Sequence, residues 1–435
     1  MTAATITAAP TRARRRVLGY LGALAFLTYL DRACLAAIKP AVMDDLHLTM
    51  DQMSMVFSAF VLAYGVFEIP TGHWGDRIGR RRVLARIVAW WSTCTIATAG
   101  AFSYASLLVI RFLFGAGEAG AFPNATAAIA RWFPVTEQGM AQGMLFASAH
   151  FGAAVTPLIV GGLLHVVSWR LLLVAFGAFG FIWVCAWWRW FRDDPAAHPD
   201  VDAAELALIA ADRVAPAPAG TAGPRLLAVL ANRSLLLLCL VYAANGYGFY
   251  FLITWLPDYL KGFHHFSPLE LQLYAGLPLL LSVPADLFGG RLTDALARRY
   301  GLRMGRTLVG CIGYILAGAA VVGSTCCTSP VAAVVLFSIG AACSMATLGA
   351  TWSTCTSIGG ATTGTVGAVM NSASQIGAFC SPLVTTFIFK RYGDMTMQIY
   401  VIGALYVVAA VAWLFIDARA PALTPRTADP VARQD

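Results

Sequence analysis

Charge is what this chain has least of. Only 12% of its 435 residues are Asp, Glu, Lys or Arg, about half the share of a soluble globular domain. The three lysines, Lys39, Lys261 and Lys390, stand in no GxxxxGK[ST] phosphate loop, which argues against an ATP-driven pump. The seven histidines are scattered, without an HExxH, and only His264 and His265 adjoin. A membrane enzyme would need a nucleophile–base pair or a metal cluster, and none is legible, so no enzyme, cofactor or metal is expected. The ten cysteines form no CxxC pair. They lie almost all in apolar runs and read as small packing residues. Cys326–Cys327 is the one pair to check for oxidation. The first apolar run has no A-x-A cleavage site behind it, so no cleavable signal peptide is expected.

What is present is apolar length. Hydrophobic residues make up 59% of the chain, and mean hydropathy is +0.70. About 20 apolar residues in a helix span the hydrocarbon core. Such runs fall at 17–38, 53–73, 83–102, 104–128, 139–165, 170–191, 234–256, 270–292, 307–324, 330–350, 363–389 and 397–416. They predict an all-α membrane protein with twelve transmembrane helices. The net charge of +8 might speak for nucleic acid, but its placement speaks for a bilayer. With both termini inside, the cytoplasmic segments hold most arginines, among them Arg12, Arg14–Arg16, Arg77, Arg80–Arg82 and Arg298–Arg299. The outer loops hold only Lys39, Arg170, Lys261, Lys390 and Arg391. That asymmetry is the positive-inside rule. Many arginines beside three lysines fit a GC-rich bacterial genome, so a bacterial inner (cytoplasmic) membrane is the expected location, with a monomer as the default.

The chain also divides in the middle. Phe191–Arg225 is polar and rich in Ala and Pro, with a short amphipathic stretch near Glu205–Arg213. The expected layout is an N-terminal six-helix bundle over 1–192, a cytoplasmic linker over 193–228 and a C-terminal six-helix bundle over 229–435. The halves echo each other. Gly72, Asp76, Arg80 and Arg81 follow the second run; Gly290, Asp294, Arg298 and Arg299 follow the eighth. Asp76 and Asp294 are 218 residues apart (294 − 76), half the chain. Two like halves are an arrangement of secondary transporters, whose substrates bind near the midplane between them.

GxxxDRxGRR over Gly72–Arg81, in a 6+6 layout, is similar to the signature of the major facilitator superfamily. "YLDR" (Tyr29–Arg32), Val56–Arg82, "RFLFGAGEAGAFPNATAAIARWFP" (Arg111–Pro134) and "YGFYFLITWLPDYL" (Tyr247–Leu260) narrow it. Together they resemble the anion:cation symporter family, which includes bacterial hexonate, hexarate, tartrate and phthalate carriers. The resemblance covers almost the whole chain. It implies that Asp31 and Glu118 are protonation sites, and that Arg32 and Arg111 serve the substrate carboxylate or tune those acids. It also implies that the loop of Gly72, Gly75, Asp76, Arg77, Gly79, Arg80 and Arg81, with Asp294, is a latch favouring the outward-open state.

The residues themselves point the same way. Asp31 lies about 21 Å along the first helix, and Arg111 about 10 Å from the outer face on the fourth, so both are near the midplane. Glu118 follows Arg111 by seven residues, on one stripe of the helix, which we expect to face the central cavity. Intramembrane charges are functional candidates by default; the alternative is a neutral cluster locking helices one and four together. Arginine stays charged and forms forked bonds to carboxylates. A substrate carboxylate can replace Asp31 or Glu118 only once they are neutral. Protonation and anion binding then favour each other. Tyr29 and Tyr64 are expected as hydroxyl donors. In the second half, Asn245, Tyr250, Asn371 and Gln375 are expected to read substrate oxygens, or to glue helices together. Glu68 reads as a carboxylate paired with a loop arginine, or as an extra titrating group. Asp286 reads as a gate partner, and His150 as an anion donor or a buried neutral ring. Asp76 is placed to meet a helix N-terminus across the halves. The expected function is proton-coupled uptake of an organic anion such as a sugar acid. A proton-antiport exporter and a non-transporting sensor are the alternatives.

Overall fold

The computed structural model describes residues 10–211, 229–256, 259 and 268–417. Linker residues 212–228, the outer loop with Lys261 and His264–His265, and both chain ends lie outside the described residues. Within them, helix dominates and no strand occurs. A backbone in hydrocarbon must satisfy its own hydrogen bonds, and helices do this locally. The helices are α1 (Ala13–Asp45), α2 (Met50–Ile78), α3 (Arg80–Ala99), α4 (Tyr104–Glu118), α5 (Ala121–Trp132), α6 (Gln138–Leu163), α7 (Trp169–Trp190) and α8 (Ala203–Ala210). They continue with α9 (Arg233–Thr254), α10 (Pro268–Tyr300), α11 (Leu302–Gly323), α12 (Pro330–Ala346), α13 (Leu348–Gly359), α14 (Thr363–Tyr392) and α15 (Thr396–Phe415).

Helix occupies every one of the expected apolar runs, but two runs are broken. The run at 104–128 divides into α4 and α5 at Ala119–Gly120, where Gly120 takes φ +83°. The run at 330–350 divides at Thr347, and α13 then extends to Gly359. Nine stretches of described residues are long and apolar enough to cross a membrane, one of them covering α12 to α14. The segments containing α3 and α10 are not among the nine. Cys326 and Cys327 are free thiols.

Packing repeats between the halves. In the first, α1 packs on α6, α2 on α4 and α3 on α7. In the second, α9 packs on α14, α10 on α12 and α11 on α15. The halves meet along α2–α14 and α6–α10, again equivalent pairs.

Helix N-termini leave amide donors unsatisfied, and the two ends of the bundle satisfy them differently. At one end, Thr49, Ser103, Ser168 and Ser329 cap α2, α4, α7 and α12 locally. At the other, arginine-rich end, α1, α3, α6 and α14 have no side-chain cap of their own. Each receives a distant carboxylate instead. Glu205 of α8, fully buried, accepts from the Ala13 and Arg14 amides at 3.0 and 3.1 Å and pairs with the Arg14 guanidinium at 3.0 Å. Asp193 accepts from the Arg80 and Arg81 amides at 2.6 and 3.0 Å. The start of the expected linker is thus fastened to the first six-helix set. Asp202 caps α8; the Glu205 amide holds its carboxyl below the usual range. That cap is therefore present near neutral pH and lost as pH falls.

Replacing Glu205 with Ala leaves the α1 amides and Arg14 short of their acceptor. We expect a loss of about 2–4 kcal/mol, read as a lower melting midpoint of the detergent-purified protein. An unchanged midpoint would show that α8 is an appendage.

Candidate functional site

Arg32 sits in the C-terminal half of α1, and its Nε lies 3.0 Å from both oxygens of Glu118 on α4. Glu118 is fully buried and is the last residue of α4. A carboxylate there meets the negative end of the helix dipole, so it depends on Arg32 for compensation. The break at Ala119–Gly120 is what ends α4 at that acid. The Arg32 guanidinium also lies over the rings of Tyr64, Phe60 and Tyr29, at 4.7, 5.2 and 5.4 Å. Its Nη2 is buried without a partner, yet its side chain keeps 21% of its surface exposed. Glu118 therefore engages the guanidinium at Nε, while Nη2 makes no hydrogen bond.

Asp31 and Arg111 are placed differently from the expectation. Arg111 forms no ion pair with Glu118 among the described residues. It is buried in the first helix set, its guanidinium 4.2 Å from the Phe114 ring centre and 5.3 Å from that of Phe60. Asp31, also buried, faces the Trp91 indole without closing a hydrogen bond. Arg111, Asp31, Cys34 and Glu118 are within electrostatic reach of one another. The Arg111–Glu118 stripe is thus divided: Glu118 meets the Arg32 cluster, while Arg111 turns inward beside α1 and α3. One residue of α4 per 100° gives a stripe its width, and seven residues leave enough offset for different neighbours.

The second-half residues also differ. Asn371 is spent on a tether: its Nδ2 donates to Glu68 Oε1 in a short bond and to the Tyr64 hydroxyl at 3.3 Å. The Ser372 hydroxyl adds a contact to Glu68 Oε2 at 3.4 Å. Glu68 therefore joins the halves rather than pairing with a loop arginine. Gln375 is half-buried and makes no hydrogen bond among the described residues. Asn245 is buried beside Tyr314 with its Nδ2 unpartnered. Tyr250 lies within electrostatic reach of Arg32. His150, buried on α6, has Nδ1 2.6 Å from Asp286 Oδ2 on α10, while its ring lies 6.2 Å from Tyr29. Among the described residues no group of His, Cys, Asp or Glu is arranged for a metal ion. A cavity of about 830 Å³ lies away from Arg32, between α1, α6 and α10, with Arg14, Arg15 and Arg298 on its wall.

The loop residues build a duplicated latch. Asp76 accepts from the Gly364 and Thr365 amides at 3.0 and 2.7 Å, at the start of α14. Asp294 accepts from the Gly139 and Met140 amides at 2.9 and 2.7 Å, at the start of α6. Arg80 donates to the Ala361 carbonyl at 3.5 Å and Arg298 to that of Thr136 at 3.1 Å. Donor and acceptor positions are offset by 218 on one side (298 − 80) and 225 on the other (361 − 136). Gly72 admits α14, its Cα facing the Gly364 carbonyl and Ala368. Gly75 lies against Asn124 and Gly79 turns the chain at φ +89°. Arg81 donates to the Trp188 carbonyl; Arg77 closes the last turn of α2. These bonds join the two halves at the arginine-rich end.

With this geometry, the comparisons decide the family. The model described as Major Facilitator Superfamily matches residues 21–382 and 238–433. The chain belongs to the Major Facilitator Superfamily. It is a membrane transporter, not an enzyme. A protein from Cupriavidus necator, named as a probable sulfoacetate transporter, is 34% identical over 424 residues, covering 96% of each chain. Escherichia coli proteins named as probable galactarate/D-glucarate and L-galactonate transporters are 27% and 25% identical. The first covers 90% of this chain and 91% of its own; the second covers 92% and 88%. These relatives agree with the resemblance to anion:cation carriers. A human organic anion transporter has the same fold, with a TM-score of 0.70 at 17% identity, over 92% of this chain and 99% of its own. A proton:xylose symporter has a TM-score of 0.72 at 13% identity, over 93% and 97%.

Changing Asp76 or Asp294 to Asn removes the charge and one acceptor from a helix N-terminus. Each should weaken the closed end by about 1–3 kcal/mol. A cysteine introduced at Ser372 in a cysteine-free background should then be alkylated faster in both variants. Equal rates in wild type and variants would remove the latch role.

Proposed function

We propose that this transporter carries a small organic anion, a sugar acid or another carboxylate, by proton-coupled symport into a bacterial cell through its inner membrane. Twelve helices cross the bilayer, with both termini cytoplasmic. The bundles 1–192 and 229–435, joined by the linker 193–228, rock about the Arg32 site. The observation that carries this reading is the half-used Arg32 fork, held by a buried Glu118. The Cupriavidus necator and Escherichia coli relatives, named as probable transporters of sulfoacetate, galactarate/D-glucarate and L-galactonate, support it.

The charges impose the order of events. Asp31, Arg32, Arg111 and Glu118 sum to zero (two acids, two arginines). Adding an anion leaves a surplus negative charge in low dielectric, which is costly. A proton on Glu118 frees Arg32 to turn both arms to the substrate carboxylate. A second proton on Asp31 does the same for Arg111. Tyr29 and Tyr64 donate hydroxyls beside Arg32, with Tyr250 and Gln375 supplying contacts from the second half. Asp76 and Asp294 hold the cytoplasmic end shut, which is the outward-facing state. Two protons with a monoanion carry a net +1 inward, so the membrane potential adds about 2.3 kcal/mol per 100 mV. Two protons with a dianion such as sulfoacetate carry none. An exporter of organic cations would place acids without a buried arginine at this depth, so Arg32 favours anions.

The test is uptake into proteoliposomes with an inside-alkaline gradient and an internal pH dye. The panel holds galactarate, glucarate, galactonate, sulfoacetate and a cationic drug. One organic anion should acidify the lumen, and Glu118→Gln should abolish the acidification while sparing exchange. Transport that ignores both pH gradient and potential would overturn proton coupling.

A further inference from the structure

The repeat relates more than the latch. Glu68 and Asp286 are also 218 residues apart (286 − 68). Each stands eight residues before its latch acid, a little over two turns. Both are fully buried, and each bonds to the opposite half, Glu68 to α14 and Asp286 to α6. A second tier of cross-half tethers thus lies above the first.

The tiers differ in their donors. Across the halves, Asp76 takes the Gly364 and Thr365 amides and the Thr365 hydroxyl, and Asp294 takes the Gly139 and Met140 amides; Arg80 pairs with Asp76 from its own half, and none of these donors is an imidazole. Glu68 takes the amide of Asn371 and the hydroxyl of Ser372. The described donor to Asp286 is the imidazole of His150, and the other carboxylate oxygen is buried without a partner. His150 is the one ionisable side chain on α6. From the elements packed on the pair come the Tyr29 hydroxyl of α1 and, through the neighbouring Phe249 ring, Tyr250 of α9. From α12 and α13 come only the thiols of Cys343 and Cys355. Arg131 of α5 is exposed at the arginine-rich end, and Glu137 just before α6 pairs with Arg14. On α10 itself, Arg291 lines the cavity beside α1, and Asp294 is the latch acid, with Arg306 of α11 in its electrostatic reach. No arginine or lysine compensates Asp286 within ion-pair distance among the described residues. The buried pair is therefore electrically balanced only while it holds the proton that imidazole and carboxylate share.

We propose that the Asp286–His150 pair is a further proton-binding site, occupied when the arginine-rich end is closed and emptied when it opens. The proposal rests on the alternating-access reading above. Closed, the imidazolium and carboxylate neutralise each other. Opening α6 from α10 exposes both to water, which solvates Asp286 and accepts the proton of His150. Acid therefore favours the closed form and a rise in pH favours opening, by linkage. The two acids near Arg32 sense the substrate; this pair senses the compartment into which the site opens.

The experiment needs no substrate, so its failure is separable from failure of the transport reading. Spin labels are placed at exposed Arg82 and Arg303, on opposite halves at the arginine-rich end, and their distance distribution is recorded from pH 6 to 8 in lipid nanodiscs. The wild type should shift from short to long distances, its open-to-closed ratio rising by up to about tenfold per pH unit, the limit for one linked proton. His150→Gln and Asp286→Asn should each flatten that slope. Infrared and nitrogen-15 histidine spectra of the unlabelled wild type follow His150 directly, should a variant not fold. A pH-independent distance in the wild type, an unaltered slope in His150→Gln, or a His150 ring that does not titrate with opening would each overturn the proposal.

Discussion

A guanidinium in hydrocarbon cannot give up its charge, and much of the first six helices is arranged around that fact. Arg32 is held by Glu118, and Glu118 in turn sits where the helix dipole opposes it. Neither group is stable there alone. The break at Ala119–Gly120 places the acid at the helix end, and the left-handed Gly120 permits the break. The rings of Tyr29, Phe60 and Tyr64 surround the cation with polarisable faces while leaving one nitrogen without a hydrogen bond. On the proton-coupled reading proposed above, one proton on Glu118 would make Arg32 change partners, because the alternative is an uncompensated charge.

The second constraint is the unsatisfied helix N-terminus. At one end of the molecule short Ser and Thr side chains meet it within a few residues of sequence. At the other end Asn232 caps α9 locally, while α1, α3, α6 and α14 are met from a distance, by Glu205 and Asp193 within the first half and by Asp76 and Asp294 between halves. This division has a mechanical meaning. Local caps travel with their helix and do not resist motion. A carboxylate from another segment ties two bodies together, and its bond must break if they part. The strong, charge-assisted caps lie where the structure is closed.

Much of this was legible in the residues. Apolar run lengths located the helices, and the 218-residue echo located both latch acids before any coordinates. The same offset joins Glu68 to Asp286; reading one as the partner of a loop arginine and the other as a gate partner hides that they are one position, twice. Partners were harder to read. Asn371 and Gln375 share a face of α14, but periodicity does not say whether an amide meets substrate or Glu68 across an interface. Arg111 and Glu118 share a stripe, yet adjoining helices give one residue the Arg32 guanidinium and the other a packed slot of rings. Glu205 lies in a polar segment rich in Ala and Pro, where nothing in its neighbourhood marks it as the acceptor for a helix that begins 192 residues earlier.

The repeat explains why these tethers come in pairs. On the alternating-access reading, rotation between two like halves would load both seams, α2–α14 and α6–α10, at once. A bond on one seam alone would bend the interface rather than hold it. Duplication supplies Asp76 and Asp294 as a matched outer pair whose donors are backbone amides. The inner pair has diverged: Glu68 kept neutral donors, while Asp286 acquired an imidazole. Symmetry gives the motion its axis, and the departure from symmetry puts a titratable donor on one of its two seams.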